Sequence, residues 1–306
     1  MPRNFSPHLI PACLLALSGM AVAAFAQATD SASWAAHVGA AYRVTSDVVY
    51  HRATNYDLKL DVYVPAEAKS PLPAAMYFHG GGWTTRSKEY MVLNILPYLE
   101  MGWVVVNVGY RLATVANAPA AVEDGRCALR WVIRNAEQYM IDPSKIVITG
   151  HSAGGHLALT TGMLPGSAGM DRQCPGNEEL KAAAIVNWLG ITDVLDVLEG
   201  PNQKTYAVQW LGSQPNREEI ARRVSPINYV RPGLPPILTV HGDADPTVPY
   251  SQALRLHQAL DQAGVPNKLL TVPRGGHWRC TADQDAKLFA QIREFLAEHG
   301  LTRAPQ

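Results

Sequence analysis

Ser152 is the residue of this sequence best suited to covalent chemistry, because it lies in the run Gly150-His151-Ser152-Ala153-Gly154. The run separates an apolar segment, residues 146–149, from an Ala/Leu-rich segment with the composition of a helix. In a strand–turn–helix of this kind, the serine occupies a strained backbone corner that lifts its hydroxyl out of the sheet. The helix that follows aims N–H groups at developing negative charge. Since a chance G-x-S-x-G in a tight turn would lack both neighbours, the pattern predicts a nucleophilic serine.

A second glycine-rich run, His79-Gly80-Gly81-Gly82-Trp83, directly follows the apolar residues 74–78. Consecutive glycines let backbone amides approach a substrate oxygen, because no Cβ stands in the way. We expect the amides of Gly81, Gly82 and Ala153 to form an oxyanion hole, where one donor is worth about 3–4 kcal/mol of transition-state stabilisation. The alternative is a flexible glycine turn. His79 is expected to fix this loop by hydrogen bonds and not to act as a base.

A histidine and an aspartate follow two later apolar runs. His277 lies in a loop after residues 268–272, and Asp245 lies in a loop after residues 237–240. Doubly wound sheets place their functional sites at the carboxyl ends of strands. For a serine nucleophile in a strand–turn–helix, the chain order Ser, Asp, His is the expected one. We predict that His277 takes the serine proton and that Asp245 orients the imidazole. Asp243 and Asp193 are alternatives for the acid, and His241 is expected to be structural.

Three further side chains flank the catalytic loops. Trp83, His151 and Trp278 are predicted to line the pocket for the acyl or alcohol group, although each could equally pack within its own loop. Catalysis by a serine nucleophile with a histidine base requires no metal and no organic cofactor. No cysteine has the spacing of metal ligands, which agrees with this expectation.

The elements that must position these groups are apolar runs that alternate with helical patterns. Eight runs predict strands: residues 44–50, 58–64, 74–78, 103–108, 146–149, 182–188, 237–240 and 268–272. Four segments predict helices: residues 118–139, 153–163, 252–263 and 283–299. Continuous apolar strands are typical of sheets covered on both faces. The predicted fold class is therefore α/β, with a mostly parallel eight-stranded sheet and right-handed crossovers.

Composition limits the class of partner and the number of domains. The chain has 306 residues, of which 47% are hydrophobic, and 26 basic residues balance 26 acidic residues. A neutral chain gives no electrostatic reason to expect a nucleic acid or an anionic membrane as partner. We predict one catalytic domain over residues 41–300, with a lid or cap segment at about residues 195–235. A preceding extension covers residues 29–40.

The first residues predict export. Arg3 precedes an apolar run over residues 9–26, and two small-x-small sites follow, at Ala24-Phe25-Ala26 and Ala26-Gln27-Ala28. This order is typical of a secretory signal peptide, here residues 1–28, whereas a membrane anchor is the alternative. After cleavage the chain would be periplasmic or extracellular, without stable membrane insertion. Export permits a disulfide among Cys127, Cys174 and Cys280, but the sequence does not choose the pair.

The glycine run at residues 79–83, the serine run at 150–154 and the acid and histidine loops together resemble known enzymes. They are similar to α/β-hydrolase esterases of the hormone-sensitive-lipase and feruloyl-esterase-like groups. The resemblance extends over about residues 47–296, through Tyr110-Arg111-Leu112, Val122-Glu123-Asp124, Trp131 and Ile141-Asp142-Pro143. It implies the α/β-hydrolase fold. It also implies Asp245 as the acid of an H-G-x-x-D-x-x-V-P pattern, and oxyanion donors at Gly81, Gly82 and Ala153.

The function expected from this resemblance is secreted hydrolysis of carboxylic esters. The substrates would be short-chain or aromatic esters of the acetyl or feruloyl type, either small or linked to plant polysaccharide. With His156, the glycine run also resembles kynurenine formamidases, so an amidase is one alternative. A serine peptidase of the prolyl-oligopeptidase type is another, and a non-catalytic binding protein would be expected to have lost part of this set. The sequence does not indicate the oligomeric state.

Overall fold

The computed structural model describes residues 39–53, 55–277 and 281–302. The chain separates into two compact units, Met1–Tyr42 and Arg43–Gln306. Of the first unit the structure describes residues 39–42, in which residues 39–41 are helical. The predicted signal peptide, most of the predicted extension, Trp278 and Cys280 lie outside the described residues.

The described residues form one eight-stranded sheet. Its strands are β1 (Tyr42–Ala53), β2 (Tyr56–Pro65), β3 (Leu72–Phe78), β4 (Val104–Val108), β5 (Ile141–His151), β6 (Ala184–Trp188), β7 (Ile237–Gly242) and β8 (Asn267–Val272). Their order is β1-β2-β4-β3-β5-β6-β7-β8, with β2 antiparallel to β4 and the pairs from β4 to β8 parallel. Each predicted strand segment overlaps one of these strands, so the mostly parallel eight-stranded sheet is confirmed.

The interior strands are buried on both faces. Every residue of β4, β6 and β7 is buried. Because successive side chains of a strand point to opposite faces of the sheet, this pattern requires cover on both sides. The register then aligns the site: Phe78 pairs with Gly150, and His151 pairs with Trp188. The carboxyl ends of β3, β5 and β6 therefore lie side by side.

Helices cover this sheet and fill the long connection before β7. They are α1 (Leu96–Glu100), α2 (Ala120–Arg134), α3 (Ala153–Met163), α4 (Val194–Leu198), α5 (Thr205–Leu211), α6 (Arg217–Arg223), α7 (Ser251–Gln262) and α8 (Ala282–Glu298). Short 3₁₀ turns occur at Val92–Ile95, Gly166–Ala168, Gly200–Asn202 and Pro226–Tyr229. The four predicted helices correspond to α2, α3, α7 and α8.

Helix α2 is shorter than the predicted segment over residues 118–139. It begins after Pro119, which has no N–H group and is suited to the start of a helix. It ends at Arg134, where the side-chain amide of Asn135 donates to the carbonyl of Trp131 at 2.8 Å. Met140 then has a positive φ of 56°, which a right-handed helix does not permit. The apolar pattern continues past these residues, but the helical conformation of the backbone does not.

The segment predicted as a lid contains α5 and α6 and packs against other parts of the second unit, to which it belongs. Trp210 of α5 has no exposed surface and stacks on Trp83 with 4.0 Å between ring centroids. The backbone N–H of Ala118 donates to the carbonyl of Trp210 at 3.0 Å. Helix α5 is therefore anchored by buried aromatic contact and by a main-chain hydrogen bond.

A disulfide joins Cys127 of α2 to Cys174, with 5.6 Å between the two Cα atoms. Cys174 lies in the loop between α3 and β6, 47 residues further along the chain. The bridge ties that loop to α2. The sequence permitted this pair but did not select it.

Candidate active site

Ser152 lies at the sharp turn between β5 and α3. Its φ of 57° and ψ of −119° are outside the regions that most residues adopt, and such a conformation costs on the order of 1–3 kcal/mol. The surrounding packing holds it there. The Ser152 N–H donates to the carbonyl of Trp188 at 2.8 Å, and a Cβ at Gly154 would lie 2.1 Å from the carbonyl oxygen of Phe78. Glycine is therefore required for the close approach of β3 and α3.

Ser152, His277 and Asp245 form a continuous hydrogen-bonded line. His277 Nε2 lies 3.0 Å from Ser152 Oγ, and His277 Nδ1 lies 2.8 Å from Asp245 Oδ2. Because a carboxylate accepts, Nδ1 carries the proton and Nε2 is left to accept from the serine hydroxyl. The exposed fractions are 6% for Ser152 and 9% for each of the other two residues. The structure thus brings together the three side chains predicted to be catalytic.

The carboxylate of Asp245 is held at both oxygens. Its Oδ1 accepts from the backbone N–H groups of Thr247 at 2.8 Å and Val248 at 3.0 Å. Its Oδ2 faces His277 and also lies 3.4 Å from Nε2 of His241. Burial acts to raise the pKa of Asp245, but the hydrogen bonds from His241 and His277 lower it well below the usual range. This acid is therefore ionised whenever the protein is folded near neutral pH.

The two other candidate acids are engaged elsewhere. Asp243 is exposed and accepts from the backbone N–H of Arg274. Asp193 caps α4 and pairs with Arg255, whose guanidinium is 2.9 Å from its carboxylate. Of the three aspartates weighed from the sequence, Asp245 is the one that contacts His277.

Gly81 and Gly82 border the cavity that contains Ser152 and His277. Their φ values are 124° and 60°. A Cβ at Gly82 would lie 2.7 Å from the Cβ of Tyr206, so this part of the loop is closely packed. Ala153, the third predicted donor, is the first residue of α3 and directly follows the serine. The predicted oxyanion donors thus belong to the two backbone segments beside Ser152.

His79 stabilises the glycine loop by hydrogen bonds and ring stacking. Its Nδ1 lies 2.7 Å from the carbonyl of Gly80, and its ring stacks on Tyr110 at 4.3 Å between centroids. The Tyr110 hydroxyl donates to the His79 carbonyl at 2.8 Å. Burial, opposed in part by the bond to Gly80, lowers the pKa of His79 to about 4. The ring is therefore neutral, with Nδ1 as the donor, as expected for a residue that fixes the loop.

The cavity beside Ser152 has a volume of about 360 Å³ and a lining of both polar and apolar surface. Besides Ser152, His277 and the two glycines, its walls are formed by Thr84, Thr85, Arg86, Tyr206 and Thr247. Tyr206 belongs to α5, and its hydroxyl donates to the carbonyl of Thr247 at 3.1 Å. The sequence analysis missed Tyr206, since nothing in the pattern of the lid segment distinguishes it from its neighbours.

Two of the predicted pocket residues, Trp83 and His151, are not among the residues that line this cavity. Trp83 has no exposed surface and contacts Trp210 and the edge of His156, so it packs beneath the loop and does not line the cavity. His151 stacks on Trp188 at 4.8 Å between centroids, and Tyr77 Oη lies 3.2 Å from its Nδ1. Burial and, to a smaller extent, nearby His277 lower the pKa of His151 to about 3. Trp278, the third, lies outside the described residues.

His156, part of the resemblance to formamidases, is also fully buried. Its Nε2 lies 2.7 Å from the carbonyl of Val224, to which it donates. His156 therefore fastens α3 to the end of α6. It has a structural contact and does not border the cavity beside Ser152.

The described part of the chain has neither a cluster of metal ligands nor a helix suited to crossing a membrane. Across residues 39–53, 55–277 and 281–302, no three His, Cys, Asp or Glu side chains are grouped as metal ligands would be. Within the same residues, no helix has both the length and the apolar character needed to cross a membrane.

Known proteins are similar to this chain in sequence and in structure. Residues 60–260 match the BD-FAE family model. Esterase LipQ of Mycobacterium tuberculosis is 31% identical over 202 residues, which cover 63% of this chain and 47% of LipQ. The chain spans about half the length of LipQ and of two other mycobacterial relatives, LipM and LipC.

The similar solved structures are matched over nearly their whole length. A truncated carbohydrate esterase from gut microbiota is 31% identical, with a TM-score of 0.73. The match covers 85% of this chain and 97% of the esterase chain. Esterase 2 of Thermogutta terrifontis with bound propionate is 30% identical, with a TM-score of 0.72, and covers 87% and 97%. The same esterase has also been solved phosphorylated by paraoxon. These similarities confirm the α/β-hydrolase fold.

Proposed function

The chain belongs to the BD-FAE family of α/β-hydrolase esterases, and we propose that it is a serine carboxylesterase acting on short-chain or aromatic esters. One observation carries the proposal. Ser152 Oγ lies 3.0 Å from His277 Nε2 in a cavity bordered by Gly81 and Gly82. A nucleophile, a base and glycine amides in one cavity are the components that acyl transfer requires.

The reaction proceeds in two steps through an acyl-enzyme. The hydroxyl proton of Ser152 passes to His277 Nε2 while Oγ bonds to the carbonyl carbon, and the amides of Gly81, Gly82 and Ala153 stabilise the oxyanion. The ester C–O bond then breaks, and the alcohol leaves with the proton from His277. Water attacks the acyl carbon and gives a proton to the same nitrogen. The bond between that carbon and Ser152 Oγ then breaks, Oγ takes the proton from His277, and the carboxylic acid departs. Asp245 remains ionised throughout and stabilises the imidazolium.

Two features support the substrate class. Thr84, Thr85, Tyr206 and Thr247 give the cavity hydroxyl and carbonyl groups that can bind the hydroxyls of a sugar or a small alcohol. Its volume of about 360 Å³ suits a short acyl chain or one aromatic ring. The propionate-bound esterase and the carbohydrate esterase among the similar structures support short acyl groups and esters of carbohydrates as substrates.

The first test is hydrolysis by purified protein of a panel of esters and amides. The panel contains p-nitrophenyl acetate, butyrate and palmitate, methyl ferulate, acetylated xylan, formyl-kynurenine and a peptide p-nitroanilide. We expect turnover of the short and aromatic esters and complete loss of it in Ser152→Ala. The control is Ser213→Ala, which changes an exposed serine outside the cavity and leaves the rates unaltered.

Two outcomes would contradict the proposal. Equal ester hydrolysis in Ser152→Ala would exclude this serine as nucleophile. Faster turnover of formyl-kynurenine or the anilide than of every ester would assign the chain to amide hydrolysis.

We also propose that the chain is exported after cleavage near residues 26–28. Mass spectrometry of the N-terminus of the exported protein would test this proposal.

A further inference from the structure

A second cavity, of about 480 Å³, lies at the opposite end of the sheet from the triad. Its walls include Gly162 near the end of α3, the residues that follow this helix (164–166), residues that precede β6 (180–182) and residues that precede β7 (233–235). The catalytic loops follow the carboxyl ends of these parallel strands, so this cavity is at their amino ends. It shares no lining residue with the cavity around Ser152.

Arg126 of α2 is a buried cation in the wall of this cavity. The residue is 3% exposed, and its Nη1 donates to the carbonyl of Thr161 at 2.9 Å. Among the described residues, no carboxylate is close enough to form an ion pair with Arg126. Burial, opposed in part by Asp171, lowers its pKa to about 10, so the guanidinium is still charged at neutral pH. A buried charge without a counter-ion is strongly unfavourable.

The carboxylates around the cavity are already paired with other cations. Asp171 and Glu178 both contact Arg130, one turn after Arg126, and Glu178 Oε2 lies 2.8 Å from Arg130 Nη1. Glu179 pairs with Lys181 at 2.7 Å. Within the described residues, the lining has four cationic and three anionic side chains, which leaves one positive charge uncompensated.

Two arginines have donors left for a ligand. Nε of Arg130 is buried and has no hydrogen-bond partner in the described part of the chain. Arg231 is exposed at the rim, where its Nη1 donates to the carbonyls of Met163 and Tyr229. The disulfide from Cys127, next to Arg126, anchors the loop that supplies the facing wall. The disulfide therefore links two walls of the cavity covalently.

We propose that this cavity is a binding site for a small, polar monocarboxylate, such as a sugar acid, whose carboxylate lies against Arg126. A single negative charge compensates the excess positive charge of the lining. A planar carboxylate can accept two parallel hydrogen bonds from one guanidinium. The polar walls and the volume of about 480 Å³ suit a molecule that carries several hydroxyl groups.

The test is calorimetric titration of the full chain with D-glucuronate and with D-glucuronamide, which has the same shape and no charge. The protein is used after its serine has been blocked by a fluorophosphonate, so that the catalytic cavity is filled. We expect glucuronate to bind with a dissociation constant of about 1 mM and glucuronamide to bind at least about tenfold more weakly. Arg126→Met weakens glucuronate binding about tenfold or more, and Arg222→Met, at an exposed site on α6, leaves it unchanged.

If Arg126→Met does not fold, Arg231→Met replaces it, with about a threefold loss expected for a contact at the rim. Failure of glucuronate to bind to the blocked wild-type protein at tens of millimolar would overturn the proposal. Equal binding of the amide, or binding that Arg126→Met leaves intact, would do the same. Because the readout is binding and not turnover, a negative result here is distinguishable from a failure of ester hydrolysis. If the fluorophosphonate does not attach to Ser152, the Ser152→Ala protein is titrated instead.

Discussion

Replacement of Asp245 by asparagine tests how the triad works, because the structure fixes the orientation of the new amide. Oδ1 of Asp245 accepts two backbone N–H bonds, from Thr247 and Val248. The asparagine oxygen must stay there, since a flipped amide would leave both donors unpaired at about 1–3 kcal/mol each. The NH₂ group then takes the place of Oδ2, 2.8 Å from His277 Nδ1.

This orientation reverses the tautomer of His277. An NH₂ group donates, so Nδ1 must become the acceptor and the ring proton moves to Nε2. Nε2 lies 3.0 Å from Ser152 Oγ, and with a proton of its own it cannot accept the serine proton. The wrong tautomer in serine hydrolases lowers kcat by about 10⁴-fold, which corresponds to about 5 kcal/mol of barrier. KM is expected to change little, because Asp245 does not line the cavity around Ser152.

The assay is steady-state hydrolysis of p-nitrophenyl acetate at pH 7.5 by wild type and variants of equal folded content, judged by circular dichroism. Asp243→Asn and Asp193→Asn are matched controls, since each removes the same charge from a site that does not contact His277. Both should keep kcat within about threefold, because neither carboxylate contacts His277 or borders the cavity around Ser152. If Asp245→Asn retained more than a tenth of the wild-type kcat, or Asp243→Asn fell equally far, the reasoning would be refuted.

Three other predictions concern the loop, the disulfide and a buried histidine. Gly82→Ala should lower kcat about 10²-fold, because its Cβ would lie 2.7 Å from that of Tyr206 and displace an oxyanion donor; unchanged kinetics would exclude this role. Removing the Cys127 disulfide, which spans 47 residues, should lower the free energy of unfolding in urea by about 4 kcal/mol and leave kcat intact. His156 has its pKa lowered by burial to about 4, so its contribution to stability is complete above pH 6.5 and is lost as the pH falls through 4. Between pH 6.5 and pH 4, the free energy of unfolding in urea should therefore fall by about 3 kcal/mol less in His156→Gln than in wild type. An equal fall in both proteins would show that burial of His156 is not the cause.

The parts of the site that follow strand ends could be predicted from the sequence. Gly150-His151-Ser152 ends β5, the glycine run follows β3, and the loops of Asp245 and His277 follow β7 and β8. Because β3 and β5 to β8 are neighbours and parallel, their carboxyl ends meet at one edge. Apolar runs of four to eight residues locate these ends to within a residue or two, which is sufficient to bring the loops together.

The choice of Asp245 over Asp243 as the catalytic acid depends on backbone geometry that the sequence does not show. Asp243 and Asp245 are both in the loop after β7, and their side chains have the same chemistry. What separates them is the turn after Asp245, which directs the N–H groups of Thr247 and Val248 at one carboxylate oxygen and leaves the other for His277. The resemblance had indicated Asp245, but spacing could not show that Asp243 instead contacts Arg274.

Trp83 shows why the walls of the site were harder to predict than its chemistry. Its position after three glycines suggested a pocket residue, yet its ring turns inward and stacks on Trp210, 127 residues away in sequence. That contact fixes α5, and α5 in turn supplies Tyr206 as a wall of the cavity. The catalytic groups depend on local signals of strand, turn and helix, whereas the substrate-facing walls depend on a long-range contact between two aromatic residues. A substitution such as Trp210→Ala is therefore expected to change which esters are accepted, as well as to destabilise the core.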